Sequence, residues 1–359
     1  MGTPGTDACA SPLDGTLTCS ARTTAILRHP PWDSTSITLL LFMRTPTRLI
    51  YVIAAVAACG GVQSTGSSAA RSGLLQLPVL DSARMVNDVA RLAHDSMAGR
   101  GVMTPENAEA RAWLAAEFQR IGLTPVGDSY LHPFVDPRGT PVDTLRGANV
   151  LGMVRGTRFP DRLIVVSAHY DHVGTRNGQI YNGADDNASG TAAVLAMAAH
   201  FRAHAPLHTL LFALWDAEES GLAGSRSFVA MPPVPLASIA ANVNLDMVSR
   251  NDRGELYAAG GFHYPRLRPI VDSLIPLALV TLRQGHDSGG GHDDWTGQSD
   301  HAAFHARKIP FMYFGVEDHP DYHKPTDDVE RIQPGFYLRA VRTIAGFVER
   351  LDRSLADGG

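Results

Sequence analysis

The chain has 359 residues, of which 44% are hydrophobic and 19% charged, enough apolar material for one large core or two smaller ones. A formal net charge of −5, with no clustered lysine and arginine, gives no basis for a nucleic-acid surface. The three cysteines, Cys9, Cys19 and Cys59, all lie in the first sixty residues. The rest of the chain therefore holds no disulfide framework, thiolate metal site or cysteine nucleophile.

The first ordered pattern begins at Met43. Arg44 and Arg48 precede an apolar run from Leu49 to Ala58, and Cys59 follows it. The run is about ten residues, too short for a bilayer span of about 20 but suited to the apolar centre of a signal peptide. "VAAC" (Val56–Cys59) resembles the lipobox of bacterial lipoproteins, in which the cysteine is lipidated and becomes the mature N-terminus. The plainer alternative is a secretory signal with an incidental cysteine. Gly60 is not the aspartate that retains lipoproteins at the inner membrane, so the expectation is an exported protein anchored to the cell envelope, in the outer membrane or periplasm, or else secreted. Because a signal peptide opens a chain, Met43 is the expected initiator and residues 1–42 are expected to lie outside the natural product. Residues 43–58 are then the signal peptide and residues 59–74, rich in glycine and serine, a flexible tether.

Residues 75–355 read as one globular domain without internal repeats. Helical spacing predicts helices over residues 81–95 and 104–122, the second with Thr104 and Glu106 as start signals and Gly122 as its stop. Strands are predicted over 149–156 and 161–169, a helix over 189–204 with a polar start near Ser189, and a strand over 208–215. A helix over 219–230, strands over 238–246 and 308–314, and a closing amphipathic helix over 333–352 complete the series. The alternation predicts an α/β three-layer sandwich with a mixed, largely parallel central sheet flanked by helices. Residues 285–297 are too rich in glycine to be anything but a loop.

Buried strands in this pattern end in polar residues. Residues 161–169 end at His169, with Asp171 two positions on; residues 208–215 run into Glu218 and Glu219; residues 238–246 end at Asp246; residues 308–314 lead towards His323. In open α/β sheets, ligands bind beyond the carboxyl ends of the strands, where such side chains converge. Singly, each has a structural explanation: a packed histidine, a solvated acidic turn, a strand cap. Together, with no cysteine nearby, they form a nitrogen and oxygen donor set suited to catalytic zinc, or to cobalt or manganese. Two adjacent aspartates in "NGADDNASG" (Asn182–Gly190), Asp185 and Asp186, add carboxylates to a turn that needs only one.

The blocks "MAGRGV", "SAHYDHVG", "NGADDNASGTAA", "WDAEESGLAGS", "NLDM", "SDHAAF" and "DYHKPTDD" resemble, in order and spacing, those of the M28 family of zinc aminopeptidases, over roughly residues 77–352. The resemblance implies a zinc-exopeptidase-like fold and two Zn2+ bridged by one aspartate. By position, His169, Asp186 and Asp246 would hold one ion, and Asp186, Glu219 and His323 the other. Glu218 matches the general base that activates the metal-bridging water, on the opposite side of an extended backbone from Glu219. Asp171 would accept a hydrogen bond from the free nitrogen of His169. Tyr322 stands where some members stabilise the tetrahedral intermediate, with core packing as its alternative. Asp185 would be a structural neighbour.

The implied activity is hydrolysis of the N-terminal peptide bond of peptides with a free N-terminus. The alternatives are another zinc-dependent amide hydrolase, carboxypeptidase-like or glutaminyl-cyclase-like, or an inactive binding domain. The complete acid set argues against a cyclase-like member, which would keep a single zinc, and the presence of Glu218 with all five candidate ligands argues against an inactive domain. His286, His292, His301 and His305, with Asp293, Asp294 and Asp300, fall in or beside the glycine-rich loop and are assigned to the rim of the substrate cleft. His172 and His319 are assigned to the surface or to the surroundings of the ligands. The membrane is expected to be met only through a lipidated Cys59.

Overall fold

Asp81 starts the first helix of the computed structural model, which describes residues 77–137, 144–289 and 293–358. Its carboxylate accepts the backbone N–H of Arg84 at 3.0 Å, satisfying a free donor of the first turn of α1 (Ser82–Leu92). Thr104 does the same for Asn107 at the start of α2 (Pro105–Ile121), where Pro105 needs no N–H partner. Gly122 ends α2 in the left-handed region at φ 85°, returning its N–H to Phe118 and Gln119 carbonyls. The expected initiator, signal peptide, Cys59 and tether all lie outside the described residues.

The chain then lays down β1 (Thr124–Pro125), β2 (Leu131–Asp136), β3 (Leu145–Val154) and β4 (Phe159–His169). A hairpin of β5 (Gly174–Arg176) and β6 (Gln179–Tyr181) leads to α3 (Gly190–Ala203), β7 (His208–Trp215) and α4 (Ala223–Ala230). Next come β8 (Ile239–Leu245), β9 (Glu255–Ala259), α5 (Arg268–Leu274), β10 (Thr281–Gln284), α6 (His301–His305), β11 (Phe311–Gly315) and α7 (Pro334–Ala356). Among the described residues these strands form a nine-stranded sheet in the order β1-β3-β7-β4-β8-β11-β9-β10, with β2 also paired to β3. The four central strands, β7, β4, β8 and β11, are mutually parallel; β1, β2 and β3 at one end, and β9 against β11, run antiparallel.

Alternation along the central strands divides the core into two layers. Ile164, Val166 and Ala168 of β4 and Leu210, Phe212 and Leu214 of β7 face a layer shared with α1, α2, α3, α5 and α7. Leu163 and Val165, with Leu211, Ala213 and Trp215, face the opposite layer, closed by Phe228 of α4 and Phe304 of α6. Both faces being covered explains why β4 and β7 read as continuous apolar runs. The mixed sheet between helical layers is the architecture expected from the sequence.

The departures are local. The strands β1, β2, β5, β6, β9 and β10 and helices α5 and α6 were not among the predicted elements; β2 and β10 sit at the sheet's ends with mixed exposure, which blurs their period. The polar residue expected near Ser189 at the start of α3 is Asn187. Ser189 makes no capping bond; the side-chain oxygen of Asn187 instead accepts the N–H of Gly190 at 2.8 Å. The Ser189 hydroxyl is used across the fold, donating to Asp185 O and accepting from Val248 N–H.

Candidate metal centre

Because the central strands are parallel, their carboxyl ends emerge at one edge of the sheet. His169 is the last residue of β4 and Asp246 follows β8, so their side chains meet: His169 Nε2 lies 3.3 Å from Asp246 Oδ1. Asp186 Oδ1 approaches the same nitrogen at 3.3 Å. The other oxygen of Asp186, Oδ2, lies 3.0 Å from His323 Nε2, which is also 3.2 Å from Glu219 Oε1. All five sequence-predicted ligand residues thus converge, and Asp186 presents one oxygen to each group. Among the described residues, these are the two groups whose donor atoms lie close enough to hold a metal ion, and the second also contains His172.

The turn carrying Asp186 is held from several sides. The Asp327 carboxylate accepts the backbone N–H of Asp185 at 3.1 Å and of Asp186 at 3.0 Å. Asn187 donates to Leu245 O at 2.9 Å, tying the turn to the end of β8. Asp185 braces the structure around it. Its Oδ1 accepts the N–H and hydroxyl of Ser249, both at 2.7 Å, and its Oδ2 faces His319 Nε2 at 3.1 Å. The guanidinium of Arg100, fully buried, donates to the carbonyls of Leu92, Tyr170, Asn182 and Gly183. It fastens the end of α1, the end of β4 and the start of this turn to one another.

Glu218 and Glu219 occupy a turn after Ala217, whose φ is 59°, rather than the extended backbone expected for them. Their side chains still diverge: Glu219 meets His323, whereas Glu218 lines the crevice with His169, Asp186 and Asp246. Asp171 differs from expectation in its partner. Its carboxylate is 3.7 Å from His169 Nδ1, too long for a hydrogen bond, and it is the backbone carbonyl of Asp171 that faces Nδ1 at 3.1 Å. The carboxylate instead accepts the N–H groups of Glu218 at 3.0 Å and Glu219 at 3.3 Å, positioning the acidic pair.

Burial raises the carboxyl groups here, and the facing imidazoles decide which remain ionised. Burial acts against Asp186, yet His172, His169 and His323 hold it well below its ordinary value. Glu219 is likewise opposed by burial and brought down to about 2 by His172 and His323. Glu218 goes the other way: burial, reinforced by Asp300, Asp246 and Asp171 against the opposing His169, lifts it well above the usual carboxylate range. Asp246 is also raised, by burial against the opposing His169, so the two carboxylates held down are those that face His323. The donors fit a divalent cation of the zinc type: imidazole and carboxylate only, all buried except Glu219, which is half-buried, and His323 at the rim, and with Glu219 Oε1 lacking any hydrogen-bond partner.

Tyr322 stacks on the His323 ring (centroids 4.0 Å apart, interplanar angle 25°) and lines the crevice, as do Trp295 within the glycine-rich loop and Gln298 just after it. His286 stacks on Trp295 at 3.8 Å, and His301 is buried with Nε2 on Trp295 O at 2.9 Å. His305 meets Tyr264 OH at 2.9 Å, while His292 lies outside the described residues. His319 supports Asp185, as an expected neighbour of the ligands. His172 is fully buried against Glu219, so the surface is excluded for it; its place within the "SAHYDHVG" block, three residues after His169, was the available signal. Asp327, Arg100 and Tyr313, a buried crevice residue, were likewise not assigned from sequence, although the first two fall within the family-like blocks.

Comparison with known proteins gives the same frame. The "Aminopeptidase" of Pseudomonas aeruginosa is 32% identical over 198 residues, covering 53% of this chain and 34% of that protein. The chain spans about a third of the length of the curated relatives it matches. The structure of a zinc aminopeptidase from Bacillus subtilis superposes with a TM-score of 0.62 at 17% identity, covering 76% of this chain and 95% of that one. A glutaminyl cyclase from Bacteroides thetaiotaomicron superposes with a TM-score of 0.59 at 15% identity over 76% of this chain and 99% of its own. At such identities the two structures share the fold and nothing more is carried over. The model of peptidase family M28 matches residues 149–348, a span that takes in His169, Asp186, Glu218, Glu219, Asp246 and His323, and the chain belongs to that family.

Proposed function

We propose that the protein is a di-zinc aminopeptidase that removes residues from the free N-terminus of peptides. The observation that carries this reading is the shared carboxylate: Asp186 offers Oδ1 to His169 and Asp246, and Oδ2 to His323 and Glu219, with Glu218 free in the same crevice. Two Zn2+, with cobalt or manganese as substitutes, would be held by these residues and would supply Lewis-acid polarisation of the scissile carbonyl and a nucleophilic water at neutral pH. Glu218 receives the proton released by the attacking water and delivers it to the leaving nitrogen; its raised affinity for a proton suits both steps. Asp171 keeps Glu218 and Glu219 in their separate roles through their backbone N–H groups. Tyr322, which lines the same crevice and stacks on His323, would donate its hydroxyl to developing negative charge on the carbonyl oxygen. The crevice is small, about 60 Å³, and acidic, with Asp318 added at its wall. This favours the end of a peptide bearing its ammonium group over a chain passing through. The fold shared with a glutaminyl cyclase does not favour that activity, because the second donor group supports a paired site.

Replacing Glu218 by glutamine tests the assignment: the variant should fold and bind zinc like the parent while turnover of aminoacyl amides falls about 10²–10⁴-fold. Parent-level turnover would remove Glu218 from the mechanism. We also propose, from the sequence alone, export and anchoring through a lipidated Cys59. Cys59→Ala should then move the protein from the membrane fraction to the soluble fraction of the envelope, and an unchanged distribution would dismiss the anchor.

A further inference from the structure

The side chain of His172 is completely buried, and neither of its nitrogens has a hydrogen-bond partner. Nδ1 nevertheless lies 2.8 Å from Glu219 Oε1 and 3.7 Å from Asp186 Oδ2. Glu219 Oε1 is itself buried without a hydrogen-bond partner, so the short contact between the two atoms is not directed as a hydrogen bond. Two polar atoms this close, each buried and neither aimed at the other, are arranged around a shared point. The ring is fixed there: a side chain on Gly183 would meet its Cγ and Cδ2 at 2.5 Å, and the His323 ring packs against it at 5.7 Å with an angle of 64°. A buried imidazole with both nitrogens unpaired is unfavourable unless a ligand uses one of them.

We propose that His172 is itself a metal ligand, so that the ion shared by Asp186, Glu219 and His323 is held by two imidazoles rather than one. The inference rests on the two-ion reading above and makes the two positions unequal. The group around His169 offers three donors, with Asp186 and Asp246, and leaves coordination positions for water and substrate. The group around His172 offers four and is the more nearly closed. The more closed position would fill first and hold its ion more tightly, and the open position would fill second.

The test is made on the metal-free full-length protein, reloaded with one equivalent of Zn2+ and studied by X-ray absorption, which counts imidazoles per ion. The expected count is two in the parent and one in His172→Gln. In a Co2+ titration followed by visible absorption, the parent should load in two steps. The first should weaken at least tenfold in His172→Gln, while the second should keep its parent affinity. One imidazole per ion in the singly loaded parent overturns the proposal, even if the variant fails to fold. An unchanged first step in a folded variant overturns it as well. A parent that binds two ions with one imidazole at the tighter position contradicts only the role of His172, whereas a parent that binds no zinc contradicts the metallopeptidase reading itself.

Discussion

Asp185 and Asp186 are adjacent, buried and chemically identical, yet they are given different roles by what surrounds them. Asp186 faces three imidazoles, and among the described residues no backbone donor reaches its carboxylate; Asp185 receives two bonds from Ser249 and a third contact from His319. Asp186→Asn is therefore expected to reduce zinc content at both positions. Asp185→Asn is expected to keep about two ions per chain while losing about 1–3 kcal/mol of stability, as buried hydrogen bonds to a charged acceptor are weakened. Metal analysis and urea unfolding of both variants separate the outcomes; equal metal loss in the two would refute the division. Asp327 belongs at the same scale. Its carboxylate accepts the N–H groups that shape the turn beneath Asp186, so Asp327→Ala should cost about 2–4 kcal/mol and weaken zinc binding together. Unchanged zinc affinity in a folded variant would show that the turn keeps its shape without it.

At the scale of elements, the site depends on loops being pinned to strand ends. Arg100 alone joins α1, β4 and the 182–183 segment through four carbonyls, and burial lowers it only to about 10, so it stays charged at neutral pH. Arg100→Ala leaves those buried carbonyls unpaired and should destabilise by about 3–5 kcal/mol. Asp216, just after β7, binds Asn107 at 2.9 Å and the Ala148 N–H at 3.0 Å, linking α2 and β3. Burial, then Asp171, raises its carboxyl from 3.8 to about 6. A raised carboxyl favours the folded state when protonated: the benefit is whole below pH 3.8 and is lost as pH rises through about 6. The stability of the parent relative to Asp216→Asn should therefore fall by on the order of 2–3 kcal/mol between about pH 4 and 7. A difference that stays level over that range would contradict the shift. These connections explain what could be read from the sequence. His169, Asp246 and the Glu218–Glu219 pair were legible because each follows an apolar strand that had to be buried, which places its end at the sheet's edge. The partner of Asp171 and the burial of His172 depend on contacts between segments far apart in the chain, and local period carries no trace of those.

At the scale of the molecule, the sheet is covered by helices on both faces, and the ligands arrive from five separate segments at the edge where its parallel strands end. Cooperation between those segments through one metal pair means that zinc and stability should be linked. Removing zinc with a chelator should abolish peptidase activity and lower the melting temperature, and restoring two equivalents should recover both. The most direct measurement uses a pair of peptides of one sequence, one with a free N-terminus and one N-acetylated, incubated with the zinc-loaded protein and followed by mass spectrometry. Stepwise loss of N-terminal residues from the free peptide alone is the predicted result. Cleavage of the acetylated peptide at the same rate, or equal cleavage by the zinc-free protein, would contradict a di-zinc aminopeptidase.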